Sequence, residues 1–378
     1  MFKHYRVVKN LRIKYIFLTS SIYMSQNILD RLCVLESQFT ELEDIVKETN
    51  RNVINMSSIM GKLEHNYTKC LGLLDDKKCV KEAFDPGTFH SVIPYINKID
   101  FKGSCVKFSD LNYNDENHKI ILSELGKYLL NFDSTFGIHI DLIKDNIDEI
   151  IQQRRQNFEY SLFSGSFEWM DARMFYYFIQ KHKPSQIIIY DNSIDTTLLA
   201  LNTIKMFNLS TKVVCINNTN SSILKSLHKD NQIQLIEENV YDIDINLFLN
   251  LQPNDIFFID SSHVGKVNSD VLWYLMNVLP KLKKGVFVQI HDIFLPNDYS
   301  ADWIKQGRFW NEQYFLYSFL QGNANYKINF SVSYALEKYN AELAKIQKNC
   351  YESNFGHIYT FGGGSIWLEV VQDNIIVN

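Results

Sequence analysis

Hydrophobic spacing divides the chain into three regimes. From Ile28 to Leu63 the non-polar positions alternate steps of four and three: Ile28, Leu32, Leu35, Phe39, Leu42, Val46, Thr49, Val53, Met56, Met60 and Leu63. Glu36, Glu41, Glu43, Lys47 and Glu48 fill the positions between. A 3.5-residue period kept over about five heptads specifies a supercoiled helical seam. Residues 25–65 are therefore expected to form a coiled-coil oligomerisation helix, making the chain a homo-oligomer through residues 28–63. A long helix packed along its own domain is the alternative. Thr49 and the two methionines soften the seam, so the number of strands stays open.

Residues 66–160 read as a mixed, mainly helical connecting or cap region. Asp85-Pro86-Gly87 signals a turn, and helical patterns follow at 116–131 and 142–156. From residue 161 to residue 378 short β-rich runs alternate with helical patterns. The runs fall at 186–190, 212–217, 232–237, 255–260 and 285–291, with helices at 196–207 and 269–280 between them. Continuous apolar runs separated by helices predict a parallel sheet covered on both faces. Two more strands, near 326–333 and 365–370, are joined by a long excursion, which predicts an antiparallel last strand.

Composition narrows the class. With 378 residues, 46% hydrophobic and 14% aromatic, the chain has material for a large core. A formal net charge of -5 leaves no basic surplus, so nucleic-acid binding is not expected. Six widely spaced cysteines form no metal knuckle and read as reduced thiols, in keeping with a cytoplasmic protein. Residues 1–24 form a basic extension whose apolar run, Tyr15 to Leu18, is too short to span a membrane. Translation from Met24 instead of Met1 is an alternative.

In such a sheet, ligands sit at the carboxyl ends of the strands. The polar residues there are Asp191, Asn192 and Ser193 after the first strand, and Asn217 and Asn218 after the second. Asp242 follows the third, Asp260 to His263 the fourth, and His291 and Asp292 the fifth. Two His-plus-Asp pairs at adjacent strand ends make His263 and His291 candidate catalytic bases. Asp260 and Asp292 are placed to orient them or to hold a divalent ion such as Mg. Helix capping by Asp260 is the plainer alternative.

Four stretches carry a family resemblance: "DIFFIDSSHVGKVNSDV", "LPKLKKGVFVQIHDIFLP", "DYSADWIKQGRFWNEQYFLYSFL" and "FGGGSIWLEV". They closely resemble class I S-adenosylmethionine-dependent methyltransferases of the polysaccharide and natural-product type, and "SGSFEWMDARMFYYFIQKHKPSQIII" resembles the lead into their first strand. The resemblance covers residues 85–370 and implies a Rossmann-like α/β fold of seven strands with the last reversed. It also implies S-adenosylmethionine as cofactor and a small-molecule or sugar-type acceptor.

Members of that family end the first strand with an acid followed by Gly-x-Gly, and the second with a carboxylate for the ribose. Aligned through Lys183-Pro184, the acid position falls on Ile189, the glycines on Asp191 and Ser193, and the ribose acid on Asn217. Asp242 matches the position near the adenine, and Asp260 completes the expected cofactor set. The segment with Arg308, Trp310, Glu312 and Tyr314 resembles a lid over the acceptor, with Arg308 available to an anionic group. An Arg308–Glu312 helix pair and simple aromatic packing are the local alternatives. The cofactor half is thus eroded and the acceptor half intact. An inactive pseudo-methyltransferase serving as a binding or scaffolding module in an oligomer is the rival reading, and a different transferase or lyase a third.

Overall fold

The computed structural model describes residues 110–129, 131–137, 140–167, 169–351 and 362–373, with isolated positions between 88 and 108. The expected coiled coil and basic extension lie outside the described residues. Among the described residues no helix is long and apolar enough to cross a membrane.

Seven strands form one sheet: β1 Gln186–Tyr190, β2 Lys212–Ile216, β3 Gln234–Ile236, β4 Ile256–Ile259, β5 Phe287–His291, β6 Tyr326–Ser331 and β7 Ser365–Val370. Their order is β3-β2-β1-β4-β5-β7-β6. The first five pair in parallel, and β7 runs antiparallel between β5 and β6. This is the expected seven-stranded α/β sheet with a reversed last strand. The order doubles back between β1 and β4, and that switch point opens a crevice at the strand ends.

The period of two along each strand sorts the core into two layers. On one face Ile187, Ile189, Phe258, Phe287 and Trp367 pack against α1 (Asp115–Leu129), α2 (Phe132–Phe136), α4 (Trp169–His182) and α5 (Asp195–Met206). α3 (Ile140–Gln156) ends where Arg154 donates to the Phe136 carbonyl at 3.0 Å. On the other face Ile188, Val214, Phe257, Val288 and Leu368 pack against residues from α7 (Asn246–Leu249), α8 (Asp270–Trp273) and α10 (Glu312–Leu320). α6 (Ser222–Lys229) precedes β3, and α9 (Ala301–Lys305) follows β5. α11 (Val332–Lys338) and α12 (Asn340–Tyr351) supply the excursion between β6 and β7.

α1 is tied directly to the sheet: Asn117 Nδ2 donates to the Asn329 carbonyl at 2.8 Å, and Ser331 N donates to His118 Nε2 at 2.9 Å. The helix expected at 269–280 is broken. α8 gives way to a π-helical turn, Tyr274–Val278, and then a 3₁₀ turn, Leu279–Lys281. Pro280 lacks the N–H that would continue it.

Alternation continues past the strand ends. Asp191, Asp260, His291 and Ser365 all emerge on the α4 side, beside Asp171 in the first turn of α4. The Gly-Gly-Gly run before β7 makes that approach possible. A Cβ on Gly364 would sit 2.4 Å from the Phe294 ring, and one on Gly363 would sit 2.6 Å from Asp171 Oδ2. Gly363 also has φ +129, which L side chains rarely adopt.

Candidate active site

The loop between β1 and α5, expected to be a rewritten cofactor loop, is closed by its own side chains. Ile189, at the family's acid position, is fully buried in the core. Asp191 is buried and accepts from Ser193 N at 2.6 Å. Burial, then the nearby charge of Asp260, pushes its carboxyl well above the usual range. Its Oδ2 has no hydrogen-bond partner among the described residues. Asn217 is likewise buried, and its amide is committed. Nδ2 donates to Asp191 O at 2.7 Å and Ser193 O at 3.3 Å, while Oδ1 accepts from Thr219 N at 2.9 Å and Thr219 Oγ1 at 2.6 Å. An amide satisfies this two-donor, one-acceptor demand; a carboxylate has no proton to give.

One residue further on, Asp195 anchors the loop to the region before α4. Arg155 grips it with Nε–Oδ1 3.0 Å and Nη2–Oδ2 2.6 Å, and Ser166 and Ser193 hydroxyls also donate to Oδ2. The bidentate fork fixes direction as well as charge. Asp195 and Arg155 were not among the expected site residues. Forty positions separate them, so no local spacing reveals the pair.

Beyond the loop, a cavity of about 190 Å³ opens at the ends of β1, β2 and β3, lined by Tyr190, Asn217, Glu238, Tyr241, Lys266 and Asp270 among others. Small-molecule sites usually enclose about 300–1,000 Å³, so a nucleoside-sized ligand needs the rim to yield. Asp242 is misplaced by sequence reasoning. It is exposed on the 3₁₀ turn Val240–Asp242, accepts from Asn239 at 3.1 Å, and does not line the cavity, whereas Val240 and Tyr241 do. Asp270 was also missed. It ties Tyr190 OH (2.7 Å) and Ser262 N (2.8 Å) to the same wall.

The ends of β4 and β5 bring the expected acids and histidines together. His263 Nε2 lies 3.0 Å from Asp260 Oδ1 and 3.7 Å from Asp292 Oδ2, and Nδ1 lies 2.8 Å from Glu312 Oε2. Glu312 is fully buried; its Oε1 accepts from Ser261 Oγ at 2.6 Å and from Tyr274 OH, which the π turn presents. The backbone N–H groups of Asn311 and Glu312 both donate to the His263 carbonyl, at 3.1 and 3.2 Å. His291 Nδ1 lies 3.4 Å from Asp260, and Nε2 3.5 Å from Asp171 Oδ2. His263 (φ 59) and Asp292 (φ 54) hold left-handed backbone, the local strain often found at working sites.

The proton inventory follows from these contacts. Burial alone would lower the His263 pKa, but Asp260 and Glu312 outweigh it and hold it at about 10. The same competition raises His291, with Asp292 and Asp260 the opposing charges. Burial works to raise Asp260, yet His291 and His263 keep it well below the usual carboxylate range. Asp292 goes up, chiefly through burial. His263 therefore holds its proton at neutral pH, and the same surroundings favour the charged form of His291.

The lid residues separate into roles. Trp310 packs on His263 with centroids 4.2 Å apart, and Arg308 lies over Trp303 and Trp310. Glu312 was expected to face substrate or pair with Arg308; it faces inward as the partner of His263 instead. Tyr314 OH donates to Asp298 Oδ1 at 2.6 Å, and its ring stacks on Phe108. Asp171 entered the sequence reading only inside a resembling stretch. It closes the site through Gly364 N, which donates to its Oδ2 at 2.9 Å.

Two outcomes follow. Replacing Asn217 by Asp, which restores the family's ribose acid in name, sets a carboxylate against two carbonyl oxygens. A loss of about 1–3 kcal/mol is expected in denaturant unfolding; an unchanged midpoint contradicts the clamp. For His263 the folded pKa is raised above the unfolded value of about 6.5. The stability it confers is thus complete below about pH 6.5 and is lost as pH rises through about 10. The melting temperature of the unaltered chain should fall more steeply from about pH 8 to about pH 10 than that of Glu312→Gln; parallel curves contradict the pair.

Residues 162–293 match the family model described as "Methyltransferase domain". No curated protein matches the chain in sequence. Solved structures are similar at low identity. The S-adenosylhomocysteine-bound methyltransferase PaMTH1 of Podospora anserina shares 12% identity over 69% of this chain and 98% of its own, with a TM-score of 0.35. The O-methyltransferase TomG of Streptomyces achromogenes, involved in tomaymycin synthesis and solved with S-adenosylmethionine, shares 11% over 66% and 98%, with a TM-score of 0.36. A Bacillus cereus O-methyltransferase in complex with S-adenosylhomocysteine shares 11% over 64% and 99%, with a TM-score of 0.37. The family match spans β1 to β5 and the acids and histidines at their ends, within a seven-stranded sheet whose last strand is reversed.

Proposed function

We propose that the protein is an S-adenosylmethionine-dependent methyltransferase acting on a hydroxyl of a small-molecule or sugar-type acceptor. The observation that carries the reading is the His263 cluster at the β4 and β5 ends, with Asp260, Asp292 and Glu312 packed around the imidazole of a residue in left-handed backbone. Methyl transfer needs the acceptor oxygen in line with the sulfonium and a group to receive its proton. Asp292 makes no hydrogen bond among the described residues, so its lone pairs are the free ones for that proton. His263, with both ring nitrogens spent on Asp260 and Glu312, holds those carboxylates in place, and His291 Nδ1, without a hydrogen bond, is left to meet the acceptor oxygen.

The cofactor fits with a different set of contacts from the family's. Its adenosine part would lie in the cavity of Tyr190, Glu238 and Tyr241, and its cationic methionine end would approach the acids of the crevice, where Asp191 Oδ2 is buried without a partner. Asn217, spent on the loop, leaves Glu238 as the carboxylate near the ribose. When bound, the cofactor supplies the methyl group on a sulfonium.

Asp260, His291 and Asp292 each offer a ligand atom, all within 4.8 Å of one another, and His291 Nδ1 has no hydrogen bond to lose. Two carboxylates and an imidazole suit a divalent ion, which would supply positive charge that makes an acceptor hydroxyl more acidic. Loading it requires His291 to release its proton.

A second reading has its own observation. Asn217 and Asp195 close the β1–α5 loop without any ligand, as a binding or scaffolding module with no use for the cofactor would do. Calorimetric titration separates the two. Dissociation constants on the order of micromolar are expected for S-adenosylmethionine and S-adenosylhomocysteine, weakened about tenfold or more by Tyr241→Ala. No heat at roughly millimolar ligand transfers the conclusion to the second reading.

A further inference from the structure

Arg308 follows α9, where Gly307, at φ +83, turns the chain so that Arg308 N donates to Trp303 O at 3.0 Å. Its guanidinium carbon then lies 4.9 Å from the Trp303 ring centroid and 5.6 Å from that of Trp310. The two indoles meet at 73° with centroids 5.0 Å apart, forming a corner that holds the guanidinium. Such stacking removes rotamer freedom that a solvated arginine keeps.

The neighbouring acids are committed elsewhere. Asp302 lies 3.6 Å from Lys305, and Asp298 accepts from Tyr299 N, Gln313 Nε2 and Tyr314 OH. Among the described residues Arg308 has no carboxylate partner. A half-buried, pre-oriented fork of N–H donors is therefore left with two aromatic faces and no anion. A planar fork of this kind matches a carboxylate or phosphate in two-point contact. The Trp310 ring also packs on His263, so one indole separates the fork from the cluster that receives the acceptor hydroxyl.

We infer that Arg308, seated on Trp303 and Trp310, recognises an oxyanion on the acceptor, making that acceptor a small anionic polyol such as an acidic or phosphorylated sugar. The hydroxyl to be methylated then meets Asp292, beside the His263 ring, while the oxyanion is held one indole away. The aromatic corner offers apolar surface to the ring carbons between the two groups. This rests on the acceptor reading proposed above, but its test needs no cofactor.

The full chain is titrated with glucuronate, glucose 6-phosphate and glucose while tryptophan fluorescence is followed, in parallel with Arg308→Gln and Arg308→Lys. Circular dichroism melts establish that each variant is folded. Saturable binding is expected for glucuronate, glucose 6-phosphate or both, and which of them binds identifies the oxyanion. Affinity should drop roughly tenfold or more in Arg308→Gln and less in Arg308→Lys, which keeps the charge but loses the fork. Equal binding of glucose, unchanged affinity in Arg308→Gln, or no binding of any of the three overturns the inference. Failure of S-adenosylmethionine to bind leaves these titrations unaffected, so the two failures are distinguishable.

Discussion

His263 is held on both ring nitrogens by carboxylates, and the crevice is arranged around that constraint. Glu312 approaches one nitrogen from the start of α10, and Asp260 approaches the other from the end of β4. A fully buried carboxylate costs several kcal/mol in desolvation unless it is paired and hydrogen-bonded. Glu312 meets that condition with an imidazolium, a serine hydroxyl and a tyrosine hydroxyl. The π turn after α8 is where the fold accommodates it, because the turn brings Tyr274 to the carboxylate. Trp310 then covers the pair, and through Trp310 the lid segment is coupled to the ring it shelters.

The two halves of the crevice solve opposite problems. At the β4 and β5 ends, charge is concentrated and compensated internally, leaving Asp292 uncommitted. At the β1 and β2 ends, side chains close the loop on itself. Asn217 satisfies backbone carbonyls there, and Asp195 is neutralised by Arg155. An amide at position 217 suits that closure, since two carbonyl acceptors face it. Asp191, Ser193, Asp195 and Asn217 are therefore linked through one hydrogen-bond network.

The strands were legible because their apolar runs are continuous, as a sheet covered on both faces requires. The reversed last strand was legible from the long excursion before it. His263, His291, Asp260 and Asp292 were legible as a group because strand ends in a parallel sheet converge. What the sequence hid are pairings between distant positions. Arg155 with Asp195, Asp171 with Gly364, and Glu312 with His263 share no local spacing. The Arg308–Glu312 spacing even suggested a different partner. Asp242 failed for a related reason: a 3₁₀ turn moves it out of the cavity that its two predecessors line.

The central claim is that His263 rests as a doubly clamped imidazolium. Long-range nitrogen–proton NMR of its ring, followed across pH, tests this most directly. The account predicts both nitrogens protonated at neutral pH, with titration at about 10. A ring that titrates near the unperturbed value of about 6.5 would contradict it.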